Sequence, residues 1–189
     1  MRIRWTQAAV FGLTVAAWAR PGPVEAQFPA KRFFLEGLGG AVVPTFDIGD
    51  VAKTGGAVGA AVGYKVNNRW VVFGEFDYGS HKDKATSSAD INTLHYIAKV
   101  GYSLTGPKER GWEALVNLGA GAVTFDVQGA PENFTYFAIN AGAKIAYNFN
   151  PSFAFVLSPQ GDIALSDESE ITTTNAWVWP VTAGLRVSF

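Results

Sequence analysis

Few residues in this sequence carry chemistry, and they are easily found. The chain has no Cys and two His, His81 and His95. Without thiols there is no disulfide framework, thiolate metal site or thiol nucleophile. His81 follows Ser80 and precedes Asp83, residue types that serve hydrolysis. Neighbours along a strand point apart, so this order alone builds no triad. His81 is read as a loop residue. His95 shares a strand face with Lys99 and has no Ser at a matching position. No catalytic residue, cofactor or metal is assigned. The acidic segments carry Asp47, Asp50, Asp83, Asp90, Asp126, Glu132, Asp167, Glu168 and Glu170. "SDESE" would gather oxygen ligands for a divalent cation, but these are read as solvated loop charges.

The other charges matter through their spacing. Glu36, Lys65, Glu75, Asp77, Lys99, Glu113, Lys144, Asp162 and Arg186 each occupy one face of a strand-like run. Asn117, Asn140 and Gln160 share that face, with many Gly and Ala between. The opposite face bears no charge. It reads Val58, Val62, Tyr64 in one run; Trp70, Val72, Phe76, Tyr78 in the next; then Leu94, Tyr96, Val100, Tyr102. Later runs give Trp112, Val116, Leu118; Phe137, Ile139, Ile145, Tyr147; and Phe153, Phe155, Leu157. The final segment, "AWVWPVTAGLRVSF", puts Trp177, Trp179, Val181, Leu185, Val187 and Phe189 on one side and Arg186 on the other. Period-two alternation of this kind is a strand signal.

Turn clusters cut the chain into eight such runs: 32–45, 56–66, 69–79, 91–105, 111–126, 133–149, 153–166 and 173–189. Connections alternate between short ("NN", "GPKER", "NPS") and long and polar ("SHKDKATSSAD", "DESEIT"). That asymmetry predicts an antiparallel up-and-down meander whose two ends face different compartments.

The face assignment inverts that of a soluble barrel. Here the charged face is the Gly-rich one, suited to a crowded eight-stranded interior. The apolar face is too extensive to meet water. It suits hydrocarbon, where ring closure satisfies every backbone group. Trp70, Tyr102, Trp112, Tyr147, Phe149, Phe153 and Phe189 gather at the short-turn ends. Phe76, Tyr78, Phe137, Trp177 and Trp179 lie toward the long loops. Two aromatic belts separated by Val, Ala, Leu and Ile mark two membrane interfaces.

Composition agrees. Of 189 residues, 16% are charged and 14% aromatic, with 21 Gly, an unusual balance for a soluble domain. The net charge of -1 gives no footprint for nucleic acid. "MRIRW" followed by "AAVFGLTVAAWA" and the small-x-small Val24-Glu25-Ala26 predicts a signal peptide over residues 1–26, cut before Gln27, with a cut after Ala19 as the alternative. Residues 27–31 form a short lead and 32–189 the barrel.

With its signal peptide, eight amphipathic strands and terminal "GLRVSF", the chain resembles the small outer-membrane β-barrels of Gram-negative bacteria, the OmpX-like proteins and the N-terminal barrel of OmpA. The resemblance covers nearly the whole mature chain. It implies an all-β transmembrane barrel in the outer membrane, in contact with membrane lipids and lipopolysaccharide. It also implies that Val181, Leu185, Val187 and Phe189 form the signal read by the barrel-assembly machinery. Unlike OmpA, the chain is expected to end at the barrel, without a peptidoglycan-gripping domain. The function expected is structural, or interaction with surface ligands through the outer loops, with paired charges filling the lumen. The alternatives are a narrow solute pore and a lipid A-modifying barrel enzyme. A soluble lipocalin-like barrel would bury the charges and wet the aromatics, and the early Gly-x-Trp signature of that family is missing.

Overall fold

Alternating side chains and tight turns leave each run one way to satisfy its backbone, by pairing with its chain neighbours. The computed structural model describes residues 31–85, 90–129, 132–166 and 175–189. The expected signal peptide and nearly all of the lead lie outside the described residues. The strands are β1 (Phe33–Thr45), β2 (Gly55–Lys65), β3 (Trp70–Lys82), β4 (Asp90–Ser103), β5 (Gly111–Val127), β6 (Phe134–Asn148), β7 (Phe153–Ala164) and β8 (Ala176–Ser188), with one short helix, α1 (Asp47–Val51). They form a closed antiparallel barrel in chain order.

Closure runs from Phe34↔Ser188 to Thr45↔Trp177 along the β1–β8 seam. Phe33 and Phe189 exchange backbone hydrogen bonds of 3.0 and 2.9 Å at its lower end, and their rings stack at 6.3 Å. No strand edge is left open, which is what a sheet in hydrocarbon requires. The wall's outer face is apolar: Val58, Val62, Leu118, Ile139 and Leu185 all point away from the lumen, Leu118 at 68% exposure.

At the short-turn end, aromatic rings meet across the ladder. Phe33 packs on Tyr64 at 4.9 Å, Trp70 on Tyr102 at 5.0 Å and Trp112 on Tyr147 at 5.1 Å. Each pair consists of direct register partners. Toward the long loops, Phe76 meets Tyr96 and Phe46 meets Trp177. These are the two interfacial belts.

One stretch of wall departs from regularity. Pro159 in β7 has no N–H to offer, so β6–β7 pairing lapses between Gly142↔Gln160 and Ile145↔Leu157. Gln160 repairs part of the loss: its Nε2 donates to the Ala143 carbonyl at 3.0 Å. Gly142 makes that possible, because a Cβ there would stand 2.1 Å from Gln160 Oε1.

Candidate functional site

The inner face converges on a charged band at mid-height. Arg186 (β8) grips Glu36 (β1) through Nη2 and Nε, both to Oε1, at 2.7 and 2.8 Å. The other oxygen of Glu36 takes Lys144 (β6) at 2.5 Å, and Lys144 also reaches Glu75 (β3) at 2.5 Å. Glu75 Oε1 meets Lys99 (β4) at 2.6 Å. Signs alternate along this chain of five side chains, and each is buried. Two aromatic faces back the cations: Arg186 lies 4.7 Å from the Phe34 ring centre and Lys144 4.9 Å from that of Phe73.

Amides extend the band. Lys99 donates to Gln160 Oε1, which also accepts from Asn117 Nδ2 at 2.9 Å. Asn117 donates to Asn140 Oδ1, and Asn140 donates to Asp162 Oδ1 at 2.7 Å. The other oxygen of Asp162 meets His95 Nδ1 at 2.6 Å. The connected set holds three cations, Lys99, Lys144 and Arg186, and three carboxylates, Glu36, Glu75 and Asp162. The formal charges of these six side chains sum to zero. Desolvating ions is costly unless each finds partners; here almost every one is held by at least two.

Three of the nine charges stand apart. Glu113 accepts from Asn148 Nδ2 at 3.3 Å near the lower rim. Lys65 is half-buried there and takes no part in the ion pairs. Asp77, buried in the notch left by Gly59, has one oxygen without a protein partner, as has Nε2 of His95, its direct register partner.

Apolar side chains flank the band on both sides, which the sequence reading, with its small or polar inner face, did not foresee. Above it, toward the long loops, Val42, Ile97, Val123, Phe125, Val178 and Ile48 of α1 pack into one cluster. Below it, Phe34, Val71 and Phe73 form a second, and Ala146, Ala154 and Val156 a third. Phe34 fits because position 63 is Gly; a Cβ there would lie 2.1 Å from the ring.

His81 is not a loop residue. β3 runs on to Lys82, so His81 turns inward and is buried, and its Nδ1 lies 2.9 Å from the Lys53 carbonyl. The polar letters around it look like a turn, but β3 and β4 stay paired as far as Lys82↔Asp90. The backbone of Asp83 bridges to Ala52, and its carboxylate accepts from the Ala85 N–H at 2.7 Å. Asp167, Glu168 and Glu170 lie outside the described residues. Among the described residues no three His, Asp or Glu side chains group as metal ligands.

A closed wall of eight antiparallel strands, lipophilic outside and ionic within, defines a membrane-spanning barrel of the bacterial outer-membrane type. The family described as "Outer membrane protein beta-barrel domain" matches residues 6–189, and the chain belongs to it. Among solved structures, it is similar to Neisserial surface protein A, at 16% identity and a TM-score of 0.64 over 83% of this chain and 97% of that one. OprG from Pseudomonas aeruginosa gives 15% and 0.62, over 87% and 99%. A major outer membrane protein from Thermus thermophilus gives 12% and 0.60, over 85% and 100%. At these identities the likeness is one of fold. No curated protein sequence matches the chain. The protein resides in the bacterial outer membrane.

Proposed function

We propose that this protein is a sealed outer-membrane barrel with a structural or surface-interaction role, the interaction being made by the outer loops. The observation that carries this reading is the layering of the lumen, a neutralised ionic band between two apolar layers. An eight-stranded interior is about wide enough for side chains alone, and here they occupy it. The loops above are partly organised. Lys53 N–H donates to Lys82 O, Lys84 N–H to Val51 O, and the Lys84 ammonium to the Gly49 carbonyl. These contacts hold α1 against the β3–β4 loop and offer a preformed surface. Membrane lipids and lipopolysaccharide surround the wall, and Val181, Leu185, Val187 and Phe189 are the stretch offered to the assembly machinery.

Single-channel recording in a planar bilayer tests the seal. A quiet baseline is expected. Discrete steps that shrink with Glu75→Gln would replace this reading with the narrow pore. The enzyme alternative has one feature in its favour, the Asp162–His95 pair, but His95 is fully enclosed. Lipid A hydrolysis lost on His81→Ala or His95→Ala would move the protein to that class.

A further inference from the structure

The outer wall is not uniformly convex. A groove of about 470 Å³ opens on its lipid side, lined by Trp70, Val100, Tyr102, Val116, Leu118 and Ala141. The residues span β3 to β6, and register places them on an oblique line: Trp70↔Tyr102, Tyr102↔Val116, Leu118↔Ala141. The concavity forms where Ala141 faces Leu118 and Ala143 faces Val116, two small side chains opposite larger ones.

Its lower end carries charge. Arg69, the residue before Trp70, lies 5.9 Å from the Tyr102 ring centre and donates to the carbonyls of Ser103 and Leu104 at 3.1 and 3.0 Å. It is exposed and forms no ion pair among the described residues. The adjoining short turn adds Lys108 and Arg110, both exposed, against a single acid, Glu109. Short turns face the periplasm in this architecture, so these cations stand at the headgroup level of the inner leaflet. Aromatic flanks at that depth suit an interface.

We propose that this groove is a seat for one anionic glycerophospholipid of the periplasmic leaflet. Its phosphate, which carries the net charge, meets Arg69; its headgroup, without the ammonium that would offset that charge, lies beside Lys108 and Arg110; and one acyl chain lies over Val116 and Leu118 to Ala141. The size of the groove, its slant and the net positive charge at one end select a lipid of that charge and leaflet over the general annulus.

Native mass spectrometry of the full barrel, released from nanodiscs of mixed phosphatidylglycerol and phosphatidylcholine, tests the seat. One phosphatidylglycerol is expected to stay bound in preference to phosphatidylcholine. Arg69→Gln lowers its retention about fivefold, the worth of one basic side chain at an anionic surface. Ala141→Leu fills the groove, keeps the cation and lowers retention of either lipid. Equal retention of both lipids by the wild-type barrel overturns the proposal, as does undiminished phosphatidylglycerol in both variants. Migration before and after boiling shows that each variant is folded, and the wild-type comparison stands without them.

Discussion

Glu36 binds two cations from two different strands, Arg186 of β8 and Lys144 of β6. Glu36→Gln leaves Arg186 without its carboxylate and Lys144 with Glu75 alone. The expected loss is about 3–5 kcal/mol, the usual cost of stripping one partner from a buried pair, read from urea unfolding in lipid vesicles. Gly63→Ala pushes on the Phe34 ring and is expected to cost about 1–3 kcal/mol by overpacking, in the same assay. The types of these residues and the face they occupy were legible in the sequence, because a strand has a period of two. The pairings were not. Glu36 and Lys144 are 108 residues apart, Glu36 and Arg186 150; what joins them is the stagger of a closed barrel, which no local pattern records. Asp77 shows the same limit, since its spacing matches that of Glu75 yet it gains no cation.

At the scale of the strand, alternation carried nearly the whole architecture. All eight runs became strands, within a few residues, because hydrocarbon enforces the apolar face and turn residues punctuate it. The errors lie where polarity misled. β3 continues through the hydrophilic Ser80, His81 and Lys82 because β4 is still there to pair with, and α1 arises around Asp47 and Asp50, which were read as solvated loop charges. The inner apolar layers were overlooked because the charged residues on the same face dominated its character. A lipid-facing wall makes a depth-dependent prediction. Leu118→Arg near mid-height is expected to cost about 2–4 kcal/mol, and Phe149→Arg at the lower belt about 0–1, measured by urea titration of the folded band on unheated gels. Equal penalties at the two sites would contradict the placement of the belts.

For the molecule as a whole, the ionic band has a consequence beyond stability. Its members come from β1, β3, β4, β6, β7 and β8, and of its ion pairs only Glu75–Lys99 joins two consecutive strands. A half-rolled sheet carries Arg186 with no Glu36, or Lys144 with neither acid. Full compensation exists only once the first and last strands have met. The interior therefore acts as a zip fastener that will not hold until its final tooth engages, penalising every incomplete cylinder and making insertion an all-or-none event. Barrels with Glu36→Gln and Arg186→Met together, in which that late-arriving pair is uncharged, are expected to populate partly inserted forms visible as intermediate bands in time-resolved folding gels.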